Sequence, residues 1–175
     1  MLHSQPRNFS SAGLRLGQKL LQRGLTVSAA ESLTGGTIAS MIAQIAGSSA
    51  YFKGSVTSYA VSVKEEVLGV DVSIDGVVSE STASQMAQGV ARLLKSDCAV
   101  ATTGIAGPGG AEPGKPVGTV CIAALAPSHC DAAASASPGP VVRTAICHFE
   151  GNRESVILQS ADAALNLLLE ILEEN

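Results

Sequence analysis

The chain has no tryptophan and few aromatics of any kind, 3% of 175 residues, although hydrophobic residues reach 46%. Its core must therefore be aliphatic, built from Ala, Val, Leu and Ile, which suits helices packed closely on a sheet. Blocks of like charge are missing as well. The formal net charge is -4 and no basic patch stands out, which argues against a nucleic-acid partner. Histidine is limited to His3, His129 and His148, and no His, Cys or Asp cluster has ligand spacing, so no metal or cofactor is expected. Cys98, Cys121, Cys130 and Cys147 form no Cys-x-x-Cys pair, and three of them sit in apolar strand-like runs as small hydrophobes. The N-terminal stretch MLHSQPRNFSSAG has no apolar signal core. Ser32 to Phe52 is uncharged but carries three glycines, a glutamine and several serines, a poor membrane span. These absences predict one soluble cytoplasmic domain over residues 1–175, with no membrane partner.

What is present alternates between helix and strand patterns. Leu14, Leu20 and Leu21 mark a helix from Asn8 to Arg23, with Asn8, Ser10 or Ser11 as its cap and Gly24 as its stop. LTVSAAE (25–31) reads as a strand, and Ile38, Met41, Ile42 and Ile45 predict a helix from Thr37 ending at Gly47. SVTSYAVS (55–62) has strand character, VKEEVLGV follows as a short helical turn, and Ser79 caps a helix over 81–95. CAVATTG (98–104) and TVCIAALA (119–126) are buried strands around a Gly- and Pro-rich loop, and VVRTAICHFE is a strand with one better-buried face. A long helix follows the break at Gly151-Asn152. Residues 1–10 and the small-residue stretch 127–140 are expected to be flexible. The fold predicted is α/β, a three-layer α/β/α sandwich on a mostly parallel, mixed sheet. Ligands of such sheets bind beyond the carboxyl ends of strands, which places AAESLTGG and TTGIAGP on one rim.

At that rim Ser32 ends a strand just before a helix, with the N–H groups of Thr34, Gly35 and Gly36 directed into the same space. Two readings stand side by side. Ser32 or Thr34 caps the helix, or Ser32 attacks a carbonyl whose oxyanion those N–H groups receive. None of the three histidines is well placed as a base, whereas SYAVSVK supplies Tyr59 and Lys64; a lysine of lowered pKa can activate a serine, and an exposed lysine does nothing. Gly109 to Lys115 fits G-x-x-x-x-G-K, but Pro116 replaces the required Ser or Thr and a strand follows instead of a helix, so ATP binding is rejected. The loop can still hold a phosphate through backbone N–H groups and Lys115, or it is a rigid connection. Arg153, after the Gly-Asn break, anchors an anion or is a solvated first-turn residue. Glu31 can orient Lys64 or Thr34, or complement the helix dipole.

Taken together, AESLTGG, IAGSSAYFKGSVTSYAVSVK, GVVSE, TGIAGPGG and KPVGTV, with FEGNRESV more weakly, resemble the CinA C-terminal domain family. Its characterised members are nicotinamide mononucleotide deamidases, so the resemblance implies hydrolysis of that carboxamide to the acid and ammonia. It implies Ser32 as nucleophile, Lys64 as base and Tyr59 assisting. Around the small-molecule nucleotide it implies Glu31, Thr34, Gly35, Gly36, Thr103, Gly104, Ala106, Gly107, Lys115 and Arg153. Ala111 departs from the pattern where members often have another Gly. Larger relatives carry an extra N-terminal domain; this chain resembles the stand-alone form, and a homo-oligomer is the family's suggestion. The competing expectation is a non-catalytic nucleotide-binding or regulatory module linked to competence or DNA damage.

Overall fold

The computed structural model describes residues 10–128 and 139–174. Helix α1 (Ser11–Arg23) is capped by Ser10, whose Oγ accepts from Gly13 N–H, and is ended by Gly24 at a φ of 63°. There follow β1 (Val27–Glu31), α2 (Thr37–Ala43), a 3-10 turn (Ser48–Ala50), β2 (Phe52–Thr57), α3 (Val61–Leu68) and α4 (Glu80–Leu94). The chain closes with β3 (Cys98–Gly104), β4 (Thr119–Ala126), β5 (Val141–His148) and α5 (Arg153–Glu174). Apart from Ser10, 127–128 and 139–140, the stretches expected to be flexible lie outside the described residues, as do Cys130, His3 and His129.

The five strands form one sheet in the order β2-β1-β3-β4-β5. It is mixed, as expected, but its pairings divide evenly instead of being mostly parallel. β1 pairs β2 and β3 in parallel, and β4 pairs β3 and β5 antiparallel. Among the described residues no helix stands between β3 and β4 or between β4 and β5, and antiparallel neighbours need no crossover.

Each strand divides its side chains between two cores with a period of two. Val27, Ala29, Val100, Ile122 and Ala124 face α1, α2 and α5, while Ala30, Ala99, Ala101, Ala123 and Leu125 face α4. Alanines on the α4 side let that helix lie close to the sheet, which is how a core with almost no aromatics fills its space. α5 is long and apolar enough to cross a membrane by length and composition, but most of its apolar residues, Leu158 excepted, pack against α1 and the sheet.

Elsewhere the structure departs from expectation in element bounds and in burial. β2 spans Phe52–Thr57, not 55–62, because its partner β1 ends at Glu31, the residue in register with Thr57. α2 stops at Ala43, short of Gly47; residues 44–47 form turns and a bend, and the 3-10 turn begins beyond them at Ser48. β5 has no fully buried residue because it is a sheet edge, and Ile146 on it is 54% exposed. Glu31 is level with both Thr57 and Thr102, so the parallel strands end together and the segments beyond them share one rim.

Candidate active site

Beyond β1 the chain turns sharply through Ser32-Leu33-Thr34-Gly35-Gly36. The paired glycines are required there, with φ of 57° at Gly35 and 107° at Gly36, where a β-carbon is disfavoured. Ser32 N–H donates to Thr102 O at 3.0 Å, which pins the serine to the end of β3. The Thr34 and Thr102 hydroxyls lie 2.9 Å apart and tie the turn to β3 a second time. Thr34 is thus a buried brace, and neither it nor Ser32 caps α2.

α3 delivers Lys64 beneath this turn. Its side chain is 0% exposed, and Nζ donates to Ser32 Oγ at 3.0 Å, to Ser58 O at 2.6 Å and to Tyr59 O at 3.4 Å. No carboxylate pairs with it among the described residues, whose ion pairs are Arg15–Glu173, Lys115–Glu112 and Arg143–Glu174. Burial without a counter-ion lowers the Lys64 pKa, since the charged form has lost its water. Ser32 itself is 9% exposed and so sits at the boundary with solvent. A buried, uncompensated amine in contact with a serine hydroxyl at the edge of solvent is an arrangement suited to nucleophilic attack.

Of the two places expected for Glu31, it takes the one at the N-terminus of α2 and makes no side-chain hydrogen bond to Lys64 or Thr34. Its carboxylate accepts N–H bonds from Gly36 (3.0 Å), Ile38 (3.0 Å) and Ala39 (2.9 Å), and so caps α2 from five residues upstream. Both oxygens are therefore committed to protein, which corrects its assignment to the substrate. The accounting of free N–H groups also changes. Gly36 N–H goes to Glu31 and Gly35 N–H to Ser32 O at 3.2 Å, while the N–H groups of Leu33 and Thr34 have no acceptor among the described residues.

Arg153, the first residue of α5, spans the rim. Its Nη1 donates to Gly107 O at 2.7 Å and its Nη2 to the Tyr59 hydroxyl at 2.8 Å. Tyr59 is 59% exposed and its side chain is held by this contact, so the motif residues Tyr59, Gly107 and Arg153 do converge. Others on the loop do not present a side chain to this space. Thr103 is fully buried and its hydroxyl donates to Val77 O at 2.8 Å; Ala106 belongs to the core below α5. Gly104 is a packing glycine, because a β-carbon there would stand 2.6 Å from Thr119 O. Lys115 pairs with Glu112 at 3.8 Å and lines a separate cavity of about 490 Å³ with Asp75, Ser79, Glu80 and His148, away from Ser32.

Two contributors had no sequence signal. Ser58 holds Lys64 through its backbone carbonyl, and its own buried hydroxyl has no partner among the described residues. Thr102 braces Thr34 from β3, a pairing that only the strand register reveals. Burial raises the thiol pKa of the three described cysteines, Cys98 to about 12 and Cys121 to about 11, with Cys147 shifted in the same direction.

A family model described as the CinA C-terminal domain matches residues 10–172. A CinA-like protein of Syntrophobacter fumaroxidans is 38% identical over 176 residues, covering 99% of this chain and 39% of its own length. Another, from Chlorobaculum tepidum, is 41% identical over 160 residues, covering 89% of this chain and 36% of its own length. The chain thus spans well under half the length of these curated relatives. Among solved structures, the competence/damage inducible protein CihA of Agrobacterium tumefaciens is 34% identical with a TM-score of 0.84, covering 97% of this chain and 99% of its own. A CinA superfamily protein of Klebsiella pneumoniae is 29% identical at the same TM-score of 0.84, covering 97% and 100%.

Proposed function

The chain belongs to the CinA C-terminal domain family, and we propose that it hydrolyses the carboxamide of nicotinamide mononucleotide to nicotinate mononucleotide and ammonia. The observation that carries this reading is the 3.0 Å contact between Ser32 Oγ and the wholly buried Lys64 Nζ, which meets no carboxylate among the described residues. The choice of substrate rests on the likeness of the AESLTGG, SYAVSVK and TGIAGPGG segments to the deamidases of that family.

Lysine as a base needs its lone pair aimed at the serine. An ammonium has three N–H groups, and three acceptors surround Nζ: Ser32 Oγ, Ser58 O and Tyr59 O. The neutral amine keeps two N–H groups for the two carbonyls. Its lone pair then turns to the remaining partner, and the Ser32 O–H donates to it. Burial favours that neutral form.

Ser32 Oγ attacks the amide carbon while its proton passes to Lys64 Nζ. The N–H groups of Leu33 and Thr34 receive the oxyanion, a contribution that typically amounts to about 100- to 1000-fold in rate per donor. Lys64 returns the proton to the amide nitrogen, the C–N bond breaks and ammonia leaves. Water then attacks the ester, giving its proton to Lys64, and the acid departs as Ser32 recovers its hydrogen. Net, one water and one amide give one acid and one ammonia. Arg153 meets only uncharged acceptors among the described residues, which leaves its charge for the phosphate, and Tyr59 O–H, accepting from Arg153, keeps its proton for the substrate.

The test is to incubate the purified protein with nicotinamide mononucleotide and measure ammonia and nicotinate mononucleotide together. Equal amounts of both are expected. Binding of the mononucleotide without either product would replace the amidase reading with a non-catalytic binding module.

A further inference from the structure

An ordinary α-helix finds its cap in the residue next to its first turn, a Ser, Thr, Asp or Asn whose side chain reaches the free N–H groups. α2 does not. Its N-cap is Gly36, with a φ of 107° and no side chain to offer. The cap comes from Glu31, the last residue of the central strand β1, which is 0% exposed and has no cationic partner among the described residues. Burying a carboxylate for three N–H bonds costs desolvation that a local Ser or Asp would avoid. What the remote cap adds is a second anchor for the turn between Glu31 and Gly36, the turn that carries Ser32.

The same residue anchors the base. Glu31 O accepts the N–H of Ser58 at 2.8 Å, and Ser58 O accepts from Lys64 Nζ at 2.6 Å. Lys64 Nζ completes the circuit at Ser32 Oγ, and Ser32 is bonded covalently to Glu31. The side chain of Glu31 fixes the nucleophile's turn, and its carbonyl fixes the segment that holds the lysine.

We infer that Glu31 is a positioning residue: its carboxylate, clamped on the N–H groups of Gly36, Ile38 and Ala39, holds the Ser32 turn at reacting distance from Lys64. This rests on the reading of Ser32 as a nucleophile, and not on the identity of the substrate. Glutamine has the right shape and the wrong chemistry. Its single oxygen can serve one side of the clamp, and its NH2 would confront an N–H on the other. Aspartate keeps the charge but is one methylene short.

The test compares the rate at which Ser32 is covalently labelled by a sulfonyl fluoride, alongside kcat and KM for nicotinamide mononucleotide. In Glu31→Gln the labelling rate and kcat should both fall by about 100-fold, the scale of an angstrom-sized misplacement, with KM little changed. Should that variant not fold, Ala39→Pro removes one donor from the clamp while leaving Glu31 in place. Proline is tolerated in a first helical turn, and a smaller loss, about 10-fold, is expected. Unchanged labelling in a folded Glu31→Gln or Ala39→Pro protein overturns the inference, as does a melting temperature that falls while the folded fraction labels normally. Failure of the unaltered protein to label at Ser32 overturns it too. Labelling without ammonia release would remove the amidase reading and leave the labelling comparison to decide the role of Glu31.

Discussion

Lys64 Nζ stands 3.0 Å from Ser32 Oγ, although 32 residues separate the two along the chain. One is 0% and the other 9% exposed, so the amine is shielded from the water that would keep it protonated while the serine lies at the edge of solvent. The contact exists because β1 and β2 are parallel neighbours that end in register, with the Ser32 turn following one and α3 following the other.

Removing either member should abolish turnover. Ser32→Ala and Lys64→Ala are each expected to lower kcat for ammonia release by about 1000-fold or more, because groups acting as one unit fail together. The double variant should be scarcely slower than either single one, a non-additivity that steady-state kinetics on the three proteins measures.

The pH dependence has a fixed sign. Lys64 titrates below the ordinary lysine value of about 10.4. kcat/KM should therefore rise with pH through an acid limb that lies below that value, as the amine loses its proton. Stability follows the same group. Between the lowered native pKa and about 10.4 the unfolded chain binds the extra proton, so the unfolding free energy rises with pH. Relative to Lys64→Met, the unaltered protein should gain stability as pH rises through that window, measurable by urea unfolding at several pH values.

Arg153 and Tyr59 should divide differently between binding and chemistry. Arg153→Ala removes the charge proposed for the phosphate and frees Tyr59 and the Gly107 carbonyl. Its KM should rise about 10-fold or more, the scale of one charge-assisted hydrogen bond of roughly 1.5–3 kcal/mol. Tyr59→Phe loses one hydrogen bond to Arg153 and should shift KM less. Initial-rate kinetics with the mononucleotide and with the dephosphorylated nucleoside separates the two effects.

Gly104→Ala tests packing apart from chemistry. Its β-carbon would stand 2.6 Å from Thr119 O and 2.8 Å from Val120 Cα, both backbone atoms that cannot step aside. A loss of about 1–3 kcal/mol in stability is expected, with kcat per folded molecule retained. Thermal unfolding together with active-site titration would measure both.

Much of this was legible in the chain, for particular reasons. Hydrophobic period placed β3 and β4 at the observed boundaries, and Ser79, Gly24 and the Gly151-Asn152 break marked helix ends because capping chemistry is local. The strand-to-helix turn at Ser32 was visible from its paired glycines. Lys64 was not separable from an exposed lysine by its neighbours, since its burial depends on how α3 docks. Glu31 was legible as an acid suited to the dipole of α2, but not as a clamp. Its partners Ile38 and Ala39 lie seven and eight residues on, beyond any capping pattern, and are met only when α2 folds back over the strand end. The commitment of Gly36 N–H follows from the same contact and that of Gly35 N–H from its bond to Ser32 O, so of the donors expected only Thr34 N–H lacks an acceptor among the described residues.

In the proposed mechanism Ser32 attacks the substrate and carries the acyl group. Protein mixed with excess nicotinamide mononucleotide, quenched in acid within the first turnovers and digested, should yield the peptide containing Ser32 with the mononucleotide acyl group attached as an ester. That adduct should appear with the first equivalent of ammonia and be missing from Ser32→Ala. Ammonia release at the normal rate by Ser32→Ala, with no adduct in either protein, would contradict the account and assign the attack to a water activated by Lys64.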